Sequence, residues 1–230
     1  MSKTKIENDF DFSISSGTAS SIEAQVEAGI QLIKIVGVKL EDIEIKRGEN
    51  KGTFKPTLVI KFNQISDSRR FFTHRIMTME TPDINIPKQV EKFKNGLEVI
   101  RGNIKNLIEQ FIPFSVVEEG FFKGIKNLDE LLERTSLCFN TGNNGQPIYI
   151  DKEGKPIVVY GKFTYGKDSN YLSLPYRYPL IEKAIKDGNG YKKSTFTINP
   201  KYDFLIASTG HSSSSIEENG FEGADDMPDF

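Results

Sequence analysis

The side chains with the most chemistry to offer cluster late in the chain. From Tyr160 to Tyr178 the sequence reads YGKFTYGKDSNYLSLPYRY, with aromatic rings and cations closely interleaved. Two needs meet in such a run: positive charge that follows a phosphate backbone, and flat faces on which bases stack. Tyr160, Lys162, Tyr165, Lys167, Tyr171, Tyr176, Arg177 and Tyr178 are the residues of that kind, and Lys192 and Lys193 follow them. On a strand Tyr160 and Lys162 share one face, because side chains repeat every two residues. Arg69, Arg70, Phe71, His74 and Arg75 form a second patch of the same composition. Phe72 and Phe163 lack a polar end and read as core. The plainer reading makes the tyrosines core and the lysines a solvated face. All eight tyrosines, however, fall between Tyr149 and Tyr202. Even scattering would place about two there, which favours a surface that holds single-stranded nucleic acid without reading its sequence. Such binding is expected to weaken with salt, because lysine contacts release counterions.

Catalytic patterns are weaker. Gly161 to Asp168 (GKFTYGKD) matches a phosphate-binding loop except at its last position, where Asp168 cannot offer the hydroxyl that a magnesium ion needs. Glu153-Gly-Lys155 resembles a nuclease Glu-x-Lys pair but lies in a turn with no acidic strand beside it. With two histidines (His74, His211) and one cysteine (Cys138), neither a Cys/His zinc site nor a Ser/His/Asp or Cys/His nucleophile is expected. Cys138, between Leu137 and Phe139, reads as a small buried hydrophobe, and no disulfide is possible within the chain. No cofactor is expected, and the chain reads as non-enzymatic.

The net charge of −2 hides a division. Residues 210–230 hold six acids (Glu217, Glu218, Glu222, Asp225, Asp226, Asp229) and no base, which leaves +4 on residues 1–209. Residues 1–119 balance at 17 basic against 17 acidic, whereas the span Tyr149–Tyr202 carries ten bases against five acids. A neutral front, a basic tyrosine-rich back and an acidic tail result.

The elements that must position these residues follow from periodicity. Residues 1–20, polar with a Ser/Gly run, read as a flexible arm. Alternating β-branched residues predict strands from Ile30 to Ile45, Thr57 to Phe62 and Arg70 to Met79, with a hairpin turn over Arg47–Gly52. Val90, Phe93, Leu97, Ile100, Ile104, Leu107 and Phe111 then recur every three or four residues, a long helix begun after Pro87 and ended by Pro113. Leu128 to Leu132 predicts a short helix. Strands are expected at Ile148–Ile150, Ile157–Phe163 and Tyr171–Leu174, and one or two helical turns at Leu180–Ala184. Three strands, a helical interlude and further strands give a mainly β, α+β order. It fits an OB-like five-stranded Greek-key barrel with an inserted long helix, and an open α+β sandwich would give a similar string. The domain is expected over residues 21–208. Residues 209–230 form an acidic tail of disordered composition.

The tail ends GADDMPDF, a compact ligand whose terminal ring can enter a pocket while its carboxylates meet surrounding bases. Asp225, Asp226, Met227, Pro228 and Phe230 resemble the acidic Pro-Phe tip of bacterial single-stranded DNA-binding proteins, with Asp229 an added acid between proline and phenylalanine. The runs VKLEDIEIK, FKPTLVIKFN and YLSLPYRYPLIEK, over about residues 30–185, are similar to phage single-stranded DNA-binding proteins that carry a helix inserted in an OB barrel. That resemblance implies coating of exposed single strands and recruitment of polymerase, helicase or primase through the tip Asp225–Phe230. It also implies that the free tail can occupy the chain's own groove. The alternative is a phage adaptor or structural protein whose tip recruits partners while the body binds something else. No stretch approaches the roughly 20 apolar residues of a membrane span, and the N-terminus lacks an apolar leader. A cytoplasmic place, that of the host if the chain is phage-encoded, is therefore expected. The oligomeric state is not set by these patterns.

Overall fold

A computed structural model describes residues 24–45, 51–167, 169–176, 179–188 and 190–207. The expected arm over residues 1–20 and the acidic tail over residues 209–230 lie outside them. The fold is mixed α and β, dominated by one seven-stranded sheet. Its first strands are β1 (Ala24–Gln25), β2 (Gly29–Glu44), β3 (Phe54–Gln64) and β4 (Arg70–Met77), of which β2, β3 and β4 form an antiparallel meander. The helices follow: α1 (Pro87–Glu109), α2 (Phe114–Val117) running into a π-helical turn over Glu118–Phe122, and α3 (Leu128–Thr141). The chain then returns as β5 (Val158–Tyr165), antiparallel to the first half of β2. Short strands β6 (Leu172–Ser173) and β7 (Ile181–Lys183) pair with the other edge of β5, and β8 (Lys186–Asp187) and β9 (Gly190–Tyr191) make a separate hairpin.

The five-stranded barrel expected from the sequence is not what the pairings draw. Seven strands follow an open path, β1-β4-β3-β2-β5-β6, with β7 beside β5. The sheet is nevertheless strongly curled. Three strand spacings separate β4 from β5, about 14 Å if the sheet were flat. Phe72 of β4 and Phe163 of β5 instead meet edge to face with ring centroids 5.0 Å apart. Ile33, Ile35, Leu58, Ile60, Phe62, Val159 and Phe163 fill the inner face and are wholly buried or nearly so. The segment leading into β2 runs along the edge of β4 away from β3, where β1 pairs in parallel with Arg70 and Phe71. Gln64, 2% exposed, fastens this segment. Its Oε1 accepts from the Glu27 N–H at 3.1 Å, and its Nε2 donates to Glu27, Gln31 and Ser66.

One bulge decides which residues face out. The β2–β3 register shifts between Ile35 and Gly37, leaving Val36 as an extra residue. Before it the odd positions Ile33 and Ile35 are buried, and after it the even position Val38 is. A single inserted residue exchanges the faces because the side-chain period is two.

The long helix forms as its pattern predicts, whereas α3 runs to Thr141, past the short helix expected at Leu128–Leu132, and α2 with its π-helical turn has no counterpart in the sequence reading. Pro87 sits in the first turn of α1, where its missing N–H costs nothing and its fixed φ suits the helix. Ile104, Leu107 and Ile108 bury its apolar stripe. Beside that stripe lie three amides, three and four residues apart on one face. The Asn103 side chain donates to the Tyr176 carbonyl, Asn106 accepts from the Leu180 N–H, and Gln110 accepts from the Lys183 N–H. They hang the backbone of Tyr176, Leu180 and Lys183 from α1. At α3 the Asn127 side chain accepts from the Glu130 N–H at 2.8 Å, an N-cap. Leu131, Leu132, Cys138 and Phe139 of α3 are buried, and the helix packs on β2 and β3.

Two further expectations change. The stretch Leu180–Ala184 contains strand β7 rather than a helical turn, because Ile181 and Lys183 pair with Gly161 and Val159 while Leu180 and Ile181 are fully buried. Ile148–Ile150 makes a single bridge, Ile150 to Pro156, instead of a strand.

Candidate nucleic-acid interface

The outer face of the meander carries a grid of cations around one ring. In register across β2, β3 and β4 stand Lys34, Asn63 and Phe71. The next row holds Gly37, Lys61 and Thr73, and the third Lys39, Val59 and Arg75. Neighbours within a row lie about 4.8 Å apart and rows about 7 Å apart along the strands, a scale that suits successive phosphates and bases. At the centre, the Lys61 ammonium sits over the Phe71 ring, 4.3 Å from its centroid. Phe71 remains only partly covered. A partly exposed aromatic beside a cation is the unit on which a base stacks. Glu41, in the row below Lys39, ends the basic field.

The bulge at Val36 makes this grid. Lys34 and Lys39 are five positions apart and would face opposite ways on a regular strand. The extra residue puts both outside. Lys34, Lys39, Lys61 and Asn63 were not among the residues singled out from the sequence. The signal for Lys61 and Asn63 was present, as polar positions alternating with Leu58, Ile60 and Phe62, whereas that for Lys34 and Lys39 was concealed by the bulge.

The expected patch on β4 divides between two faces. Phe71 and Arg75 are outward. Arg70 and His74 have the parity of the buried Phe72 and Ile76. Arg70 ties β4 to the chain before β2, donating to the Gln25 carbonyl and pairing with Glu27 at 3.3 Å. Arg69 lies in the preceding turn and grips Asp67 through two N–H···O bonds of 3.0 Å, which holds the Asp67 carboxyl below its ordinary 3.8. Burial pushes the His74 imidazole down to about 4, so it is neutral at pH 7 and supplies no cation. These assignments correct the sequence expectation: residues alternate on a strand, so Arg70 and His74 cannot share a face with Phe71 and Arg75.

The expected patch on β5 is on the outer face but covered. Tyr160 stands opposite Leu32 of β2, and Lys162 opposite Ile30. The segment Lys192–Phe204 runs across them. The Tyr160 hydroxyl donates to the Lys192 carbonyl at 2.9 Å, and Lys162 Nζ reaches both oxygens of Asp203 at 2.9 and 3.1 Å. The Glu182 carboxylate accepts from the Ser194 hydroxyl and the Thr195 N–H, and the Tyr165 N–H donates to the Phe204 carbonyl. Tyr165 itself packs against the core. Lys167, Tyr171, Tyr176, Lys192 and Lys193 are exposed, with the Tyr176 carbonyl held by Asn103 of α1. Arg177, Tyr178 and the tip Asp225, Asp226, Met227, Pro228, Asp229 and Phe230 lie outside the described residues.

The phosphate-loop-like run is a strand as far as Tyr165. Its Gly161 answers to packing, since a Cβ there would come within 2.8 Å of the Phe163 ring and 2.9 Å of Ile33. Glu153 and Lys155 form a surface ion pair of 2.8 Å in the turn capped by Asp151. Among the described residues no group of three or more His, Cys, Asp or Glu is placed to hold a metal ion, and no helix is long and apolar enough to cross a membrane. Burial raises the Cys138 thiol to about 12, which leaves it unreactive at neutral pH.

Comparison with family models, with curated proteins and with solved structures returns no match.

Proposed function

We propose that the chain is a non-enzymatic single-stranded DNA-binding protein whose outer sheet face holds the strand. The observation that carries this reading is Phe71, partly exposed beside the Lys61 ammonium, with Lys34 in its own row and Lys39 and Arg75 two rows along the same face. Stacking on an aromatic ring contributes about 1–3 kcal/mol per base, and cations along the rows follow the phosphates. The fold order supports the finer OB-like reading: a curled meander, helices inserted after its third strand, and a return strand beside its first. In OB folds the face of the second and third strands, which β3 and β4 would be here, binds oligonucleotides. Through its tip, Asp225 to Phe230, the tail would recruit polymerase, helicase or primase to the coated strand in replication or recombination.

Fluorescence anisotropy with fluorescein-labelled oligothymidylate tests the reading. Affinity should fall steeply between about 50 and 200 mM salt. Phe71→Ala should weaken binding on the order of 5- to 100-fold, and Lys61→Ala should lower the slope of log affinity against log salt by about 0.7. Absence of binding at low salt, or full affinity in both variants, would leave the adaptor alternative in its place.

A further inference from the structure

We propose that Tyr160 and Lys162 are a second nucleic-acid subsite, for one phosphodiester and one base, which the chain covers with its own segment 192–204. The proposal rests on the reading of the outer face as the binding surface. Asp203 stands where the phosphate would bind: two carboxylate oxygens on one ammonium, at 2.9 and 3.1 Å, present the charge and spacing of two phosphate oxygens. The Tyr160 ring lies two residues along the same face, as a stacking base requires.

The covering segment is fastened in a way that permits release. None of its residues from Lys192 to Phe204 is buried. It is held by the Lys162–Asp203 ion pair, by the hydrogen bonds to Tyr160, Glu182 and Tyr165, and at its start by the Lys192 N–H on the Ile185 carbonyl. Segments with few buried apolar contacts open at low cost in free energy. Lifting it joins Tyr160 and Lys162 to the grid, since Leu32 and Ile30, their partners on β2, precede Lys34 on the same outer face. The binding path then runs without interruption from Arg75 on β4 to Lys162 on β5. A polyanion that takes Lys162 displaces Asp203, so occupancy and opening are one equilibrium.

Two substitutions act on opposite sides of the contact. Asp203→Asn removes the competing charge, and Tyr160→Phe keeps the ring but loses the bond to the Lys192 carbonyl. Each should tighten oligothymidylate binding, Tyr160→Phe roughly 2- to 10-fold, the scale of one hydrogen bond, and Asp203→Asn by more, because that ion pair is largely buried. Asp203→Asn should also steepen the salt slope by about 0.7, one further phosphate, and Lys162→Ala combined with it should erase that gain. Tightening in both variants with loss in the double variant supports the subsite. If the wild-type chain binds but both variants, folded by circular dichroism, bind equally or more weakly, the segment is a fixed part of the fold and the subsite is wrong. A gain that survives Lys162→Ala overturns it as well. No binding by the wild-type chain at low salt would instead overturn the function on which it rests.

Discussion

His74 lies on the inner side of β4, paired with Ile60 and two positions from the buried Phe72 and Ile76. An imidazole there must fold without its proton. Between the unfolded value of 6.5 and the folded value of about 4, the unfolded chain binds more protons than the native one. Stability from this residue is therefore complete above about pH 6.5 and is lost as the pH falls toward 4. The loss is on the order of 2 kcal/mol after allowance for the partial exposure of the residue. Urea unfolding at a series of pH values should show that slope, and His74→Gln should flatten it. Asp67, held below 3.8 by Arg69, titrates outside this window. The residue types of the site were legible in the sequence, but their facing was not. Arg69 to Arg75 reads as one basic aromatic patch, and strand alternation together with Asp67 and Glu27 leaves Phe71 and Arg75 of it on the outer face. Tyr160 and Lys162 were placed on the correct strand and share a face as expected. What covers them comes from a segment some 30 to 40 residues later, and no local pattern announces that.

At the scale of elements, legibility follows where the stabilising contacts lie. α1 was readable from Pro87 onward because its stripe is a local repeat, and β3 and β5 because their alternation is local too. Strand β7 was misread because its conformation is set by β5, and the bulge in β2 because only the β3 register exposes it. Gly161 shows the same dependence. It looks like part of a phosphate loop, yet it clears space between Phe163 and Ile33 where β5 meets β2. Gly161→Ala should destabilise the domain by about 1–3 kcal/mol through overpacking, seen as a lower urea midpoint with an unchanged m-value. Unaltered stability would mean that the two strands can part without cost at that point.

For the whole molecule, the near-neutral sum resolves into +4 on residues 1–209 and −6 on the last 21 residues. The excess lies in the Tyr149–Tyr202 span, whereas the cation rows on β2 to β4 belong to the balanced residues 1–119 and gather that half's bases on one face. Removing residues 222–230 takes away four negative charges, and should tighten oligothymidylate binding several-fold at low salt, with the difference fading as the Debye length shrinks toward 8 Å. Weaker binding after truncation would contradict competition between tail and strand. The double pairing of β2 has a further consequence, in time rather than in space. Its second half, with β3 and β4, forms a hairpin meander from neighbouring sequence, but its first half waits for β5, whose residues lie at least 124 positions later. In a chain made from its N-terminus, the edge from Gly29 to Lys34 stays open until all three helices have emerged. Ile30, Leu32 and Ile33 are therefore where a nascent chain would pair wrongly with a neighbour, and where a chaperone would find it.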